Sequence, residues 1–230
     1  MGQISLRGNP DVAITVRRHA RARRMSLRVS ALDGAVSLTL PHGVRDAEAQ
    51  KFLADHETWL RDKLADRPVQ RVVGWDDTIP IRGEMCRIVQ GQGRQVRLDA
   101  DRLYVPGPAD RVGPRLQGWV KALARDALVE AADRYSATLG RDYRRITLRD
   151  TRSRWGSCTS DGALMFSWRL VMAPPRVLDY VAAHEVAHLA EMNHGPAFWQ
   201  TVTRLYGPWQ AERDWLHQNG AALHRFQFGN

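Results

Sequence analysis

His184-Glu185-Val186-Ala187-His188-Leu189-Ala190-Glu191-Met192-Asn193-His194 is the stretch on which the reading of this chain turns. On an α-helix, residues four apart differ by about 40° in azimuth, so His184 and His188 project from one face, a turn apart. Two imidazoles so placed can bind one Zn²⁺ at about 2.0–2.1 Å each. Glu185, next to the first of them, is placed for its carboxylate to reach a water at the metal.

A helix continuing to His194 would carry that residue about 240° away from the ligand face. His194 can join the pair only if the helix stops first. The sequence supplies a stop: Asn193 tolerates left-handed backbone, and Gly195-Pro196 cannot continue a helix. Pro196 then suits the first turn of the next helix. Two other groups compete for the third position. Glu191 lies on a helix face similar to that of His184, and Cys158 is of a zinc-ligating residue type. The candidate metal set is thus His184, His188 and His194, with Glu191 or Cys158 as alternatives to His194, and Glu185 is the candidate general base. A lone histidine on an apolar helix is more often a core residue, but this constellation is not explained that way.

Around the motif, helices are expected over roughly 175–192, 196–206 and 209–223, with the aromatic residues Trp155, Trp168, Phe198, Trp199, Trp209 and Trp215 filling a C-terminal core. Strands are expected at Ile146–Arg149 and Ala163–Trp168, joined through Arg152-Ser153-Arg154-Trp155-Gly156-Ser157-Cys158. Ala163–Trp168 is the strand expected to pair with an extended substrate. Arg154 can stabilise an oxyanion or simply face solvent. Cys158 can ligate or pack, and His217 and His224 read as surface residues. A long helical pattern runs from about Arg111 to Leu139, ended by Gly140.

The N-terminal third reads as a small β unit with a helix. Val12–Val16, Met25–Val29 and Val36–Leu40 alternate or carry β-branched residues, and Asp33-Gly34 signals a hairpin turn. Asp46 is a candidate cap for a helix over about 47–65, closed by Pro68. Further short strands are expected at Ile79–Ile81, Cys86–Gln90, Gln95–Leu98 and Arg102–Val105. Pro106-Gly107-Pro108 offers a boundary. The expected class is therefore α+β, with a β-rich basic unit over 1–108 and a second domain, carrying the histidine motif, over 109–230.

These residues resemble a known family. The motif, together with Arg154-Trp155-Gly156-Ser157-Cys158, Trp168-Arg169-Leu170 and the run Arg21–Val29 with its Arg-Arg-x-Ser-Leu-Arg-Val pattern, is similar to the YgjP-like metallopeptidases, a zincin group that itself resembles the SprT-like proteases. That likeness implies a zincin-like fold for the C-terminal domain. The resemblance implies that His184, His188 and His194 hold zinc and that Glu185 is catalytic. Metzincin membership is excluded, because Glu191 stands where those enzymes place a glycine and no Met-turn follows.

The chain carries 34 Lys plus Arg against 25 Asp plus Glu, a net charge of +9. Arg17, Arg18, Arg21, Arg23, Arg24 and Arg28 form one cluster, and Arg141, Arg144, Arg145, Arg149, Arg152 and Arg154 another. Such clusters permit weak, electrostatic nucleic-acid binding, or are solvated surface. Cys86 and Cys158 make no disulfide framework, and neither a signal h-region nor a membrane-length apolar run is present. The expectation is a cytoplasmic zinc-dependent metallopeptidase acting on protein or peptide. Two other classes remain: a DNA-associated basic protein whose zinc site processes bound protein, and a non-catalytic zinc-stabilised binding module.

Overall fold

The computed structural model describes residues 2–6, 11–30, 34–65 and 70–229. Asp33 of the expected hairpin turn and Pro68 of the expected helix stop lie outside them. The chain divides into two compact units, Met1–Val69 and Gln70–Asn230.

In the first unit, β1 (Gly2–Leu6), β2 (Val12–Arg18), β3 (Ser26–Val29) and β4 (Val36–Leu40) form one sheet in the order β1-β2-β4-β3. β2 and β4 run parallel, and the other pairs are antiparallel. Strict alternation drives Val12, Ile14, Val16, Val36, Leu38 and Leu40 to one face, where Ala49, Leu53 and Leu60 from two helices cover them. Those helices are α1 (Asp46–Asp55) and α2 (Glu57–Ala65). The single helix expected over 47–65 is therefore broken at His56, which leaves helical geometry at φ −111°, ψ 10°. The helix begins one residue earlier than expected: Arg45 is the cap, and its N–H donates to the Glu48 carboxylate at 3.1 Å.

The second unit starts with β5 (Arg71–Val72), followed by β6 (Thr78–Ile81), β7 (Glu84–Gly91), β8 (Arg97–Asp99) and β9 (Arg102–Pro106). The last four form a sheet in the order β6-β7-β9-β8. The 28-residue helix α3 (Val112–Leu139) comes next and ends as expected on Gly140, whose φ of 73° suits a glycine. Here the division differs from the boundary expected at 108/109. Ile79, Ile81, Ile88, Leu103 and Val105 share one core with Leu116, Val120, Ala124 and Leu128 of α3, so these strands belong with the helix that follows them. Gly107, at φ 103°, only turns the chain between β9 and α3.

β10 (Arg145–Arg149), β11 (Gly156–Cys158) and β12 (Ala163–Ser167) make a second sheet in the order β10-β12-β11. A 3₁₀ segment, Trp168–Met172, leads to α4 (Pro175–Ala187), α5 (Pro196–Tyr206), α6 (Gln210–Leu223) and β13 (Phe226–Gln227). β13 pairs parallel to β5. Arg169 ties this end of the chain down. Its buried guanidinium donates to Asp150 (2.7 and 3.1 Å) and to the carbonyls of Leu223 (2.8 Å) and Phe226 (3.0 Å). It also lies 4.4 Å from the centre of the Trp168 ring. His224, expected at the surface, is instead buried, 5.4 Å from the Trp155 ring centre. No helix is long and apolar enough to cross a membrane among the described residues.

Candidate metal centre and active site

Pro175 opens α4 at a position where the missing N–H costs nothing, and Val177, Val181, Ala182 and Val186 anchor the helix in the core. The helix stops earlier than the expected residue 192, with His188 as its C-cap. Ala190 and Glu191 then donate their N–H groups to the Ala187 carbonyl at 3.0 and 3.1 Å. Asn193 does not adopt the left-handed backbone expected of it. Gly195 N–H donates to the Asn193 carbonyl at 2.7 Å, and α5 begins at Pro196. The interruption that the His188–His194 spacing demands is present, and it begins at His188 itself.

The result brings the three imidazoles together. Nε2 of His184 lies 3.1 Å from Nε2 of His194, and one ring nitrogen from each of His184, His188 and His194 falls within 4.8 Å of the others. Neither Glu191 nor Cys158 belongs to this cluster. Glu191 contributes its backbone instead: its carbonyl oxygen is 2.9 Å from Nδ1 of His188. A carbonyl only accepts, so Nδ1 carries the proton and Nε2 keeps its lone pair. His184 is oriented by packing, because its Nδ1 is buried with no hydrogen-bond partner among the described residues. Phe198, fully buried on α5, has its ring centre 4.9, 4.4 and 4.7 Å from those of His184, His188 and His194.

The electrostatics suit a cation. Burial, and then the neighbouring His188, His194 and Arg213, hold the His184 imidazole down to about 3. Burial also lowers His188. Both rings are therefore neutral at pH 7, the form that ligates metal. Tetrahedral nitrogens at about 2.1 Å from zinc stand about 3.4 Å apart. The His184 and His194 nitrogens stand 3.1 Å apart, with one nitrogen from each of the three rings within 4.8 Å of the others. The donor set fits the ion. For Cys158, burial and then the charges of Glu185 and Asp161 push the thiol up to about 11, so it stays protonated and ligates poorly.

Glu185 is only 5% exposed, and burial pushes its carboxyl up to about 8 against the opposing charge of Arg154. Its Oε2 meets no protein donor among the described residues. Gly156 of β11 gives it room. A Cβ there would stand 2.5, 2.6 and 2.7 Å from Oε1, Cγ and Cδ of Glu185. Gly156 and Phe198 are the site residues that sequence reasoning missed; the first occurs within the Arg-Trp-Gly-Ser-Cys run, which was the available signal. Arg154 itself is exposed.

The expectation that Ala163–Trp168 offers its backbone to a substrate does not hold. β12 is the central strand, paired on both sides by β10 and β11. β11 is the edge. Thr159 N–H donates to the Ala163 carbonyl and Ser167 N–H to the Trp155 carbonyl, so the alternation of an antiparallel ladder turns the N–H and C=O groups of Gly156 and Cys158 away from β12. A cleft of about 450 Å³ opens beside His188, lined in part by Arg141, Asp142, Thr159, Asp161 and Met192.

A family model described as "YgjP-like, metallopeptidase domain" matches residues 23–219. The chain is also similar, at 15% identity and a TM-score of 0.36, to the solved metallopeptidase zymogen of Pyrococcus abyssi abylysin, over 40% of this chain and 92% of that one. No curated protein matches it.

Proposed function

The chain belongs to the YgjP-like metallopeptidase family, and from that membership we propose that it hydrolyses peptide bonds with zinc held by His184, His188 and His194 and with Glu185 as general base. The supporting observation is the convergence of three imidazoles, those of His184 and His188 held neutral, beside a buried carboxyl whose Oε2 meets no donor among the described residues. Zinc bound there supplies a Lewis acid that polarises the scissile carbonyl and brings the pKa of a water toward 7.

The rest is the work of the chain. Glu185 takes the proton from the attacking water and returns it to the amine nitrogen as the C–N bond breaks. Its burial raises its proton affinity, and a nearby cation offsets that rise, which leaves it able to cycle between the two forms near neutral pH. Phe198 keeps the rings from rotating away, and the Glu191 carbonyl fixes the His188 tautomer. The substrate lies extended along β11, paired to the outward backbone groups of Gly156 and Cys158, with one side chain in the cleft beside His188. Recognition through backbone makes the sequence preference broad.

A purely structural zinc site has no use for a buried, unpaired carboxylate next to a ligand. The test is Glu185→Gln, which keeps size and removes the base. The variant retains about one zinc and loses hydrolysis of an unfolded protein by roughly a hundredfold or more. Unchanged cleavage by the purified variant refutes the mechanism.

A further inference from the structure

Among the described strand residues, the open face of the N-terminal sheet carries no large hydrophobic side chain and no acid; Asp11, exposed and of the same alternation, stands just before β2 at one margin. The register across β2, β4 and β3 builds two rows on that face: Arg17–Thr39–Ser26 and Thr15–Ser37–Arg28. Each row holds hydroxyl groups with an arginine at one end, and the two arginines sit at opposite sides of the patch. The opposite face is the buried one, under α1 and α2. Just beyond the first row, the turn between β2 and β3 adds exposed Arg21, Arg23 and Arg24.

Between residues 12 and 32 the chain has six arginines and no Asp or Glu. Arg18 is occupied: it bonds Asp46 at 2.6 Å and the Val44 carbonyl at 2.6 Å. The other five, Arg17, Arg21, Arg23, Arg24 and Arg28, are exposed and form no ion pair with a described residue.

From this placement we infer that the open sheet face is a docking surface for duplex DNA, contacted through its phosphates. Guanidinium and hydroxyl donors are the groups that bind phosphate and sugar, and they carry little base information. An acidic protein segment is disfavoured, because protein interfaces draw their energy from buried aromatic and aliphatic anchors and the two rows offer none. Single strands are disfavoured as well, since their binding platforms stack bases on aromatic rings. The arginine cluster alone permitted nucleic acid; the two hydroxyl–arginine rows select the duplex. The sheet face and the metal centre belong to different units, and Glu185→Gln changes no residue of the face.

The experiment is anisotropy of a short fluorescent duplex titrated with the full chain across salt. Five phosphate contacts make the affinity fall about 500-fold between about 50 and 200 mM salt. In Arg17→Ser/Arg28→Ser, three contacts remain and the fall shrinks to about 40-fold. Arg17→Lys/Arg28→Lys keeps the wild-type salt dependence, because a lysine still neutralises a phosphate. Arg94→Ser/Arg125→Ser, with the same loss of charge at exposed positions of the second unit, leaves the salt dependence unchanged. Three results overturn the inference: no binding at about 50 mM salt, equal losses in the two serine variants, or polyglutamate bound as tightly as the duplex.

Discussion

Replacing Gly156 by alanine tests the site at its narrowest point. The backbone of β11 accepts an alanine without strain, since Gly156 is not in a left-handed conformation. The new Cβ, however, would stand 2.5 Å from Oε1 of Glu185 and within 2.7 Å of Cγ and Cδ, against ordinary contact from 3.4 Å outward. The carboxylate must therefore retreat by about 0.9 Å. Glu185 is 5% exposed, so the retreat compresses its neighbours. Overpacking of this kind costs about 1–3 kcal/mol of stability. Displacing a reacting group by about 1 Å costs on the order of a hundredfold in rate. The expected outcome for Gly156→Ala is thus a folded, zinc-loaded protein with kcat/KM down about a hundredfold.

The assay is cleavage of a quenched peptide or unfolded protein, with zinc measured on the same samples. Glu185→Asp adds an internal control, because it withdraws the carboxylate by one methylene. Alone it loses activity; in the Gly156→Ala background, where the carboxylate is already displaced, it costs far less, so the two changes are non-additive. Wild-type kcat/KM in Gly156→Ala, or strict additivity in the pair, would refute the steric coupling of β11 to Glu185.

Three further outcomes follow from the same contacts. His184→Ala, His188→Ala and His194→Ala each lose stoichiometric zinc, whereas Glu191→Gln and Cys158→Ser keep it; zinc retained by His194→Ala, measured by elemental analysis, refutes the three-histidine set. Arg169→Ala leaves the Leu223 and Phe226 carbonyls unpaired and strips Asp150 of its partner, costing about 3 kcal/mol and lowering Tm by about 10 °C; calorimetry showing no change would contradict the pinning role. His224 is held down to about 4, first by burial and then by Arg169, so between its ordinary 6.5 and about 4 the unfolded chain binds a proton that the folded chain refuses. Stability is therefore lost as pH falls through that window, and His224→Gln removes up to about 3 kcal/mol of the loss; identical denaturation midpoints for wild type and variant at both pH 7 and pH 4.5 would rule this out.

What the sequence made legible was local. The i, i+4 histidines, the start of α5 at Pro196 and the glycine after α3 are each decided within a few residues, and each matches an element boundary or a side-chain convergence in the fold. By contrast, α4 ends at Ala187, well before the Gly195-Pro196 stop expected of it. What escaped was decided by distant neighbours. β11 is three residues long and has no alternating pattern, and it is a strand only because β12 pairs with it. Phe198 reads like any core aromatic until α5 folds back and sets it under three imidazoles. His224 is buried because Trp155, some seventy residues earlier, covers it. Pro106-Gly107-Pro108 looked like a domain boundary, yet it marks a tight turn within one core. Punctuation residues report a change of direction, and only packing reports which side of it a strand belongs to.

The pairing of β5 with β13 has a consequence for the order of folding. Arg71 N–H donates to the Arg225 carbonyl at 2.8 Å and Val73 N–H to the Gln227 carbonyl at 2.7 Å, so the opening of the second unit is hydrogen-bonded to residues synthesised long after it. Phe226 and Phe228 enter the same core as Trp168, and Arg169 finds two of its acceptors only in Leu223 and Phe226. A chain still emerging from the ribosome has β6 to β12 available but not these closing residues. Loops of this length are closed late, after the shorter-range contacts have formed. The peptidase unit therefore reaches its completed core only after release of Phe226 and Phe228, and until then the buried guanidinium of Arg169 lacks the carbonyls that satisfy it.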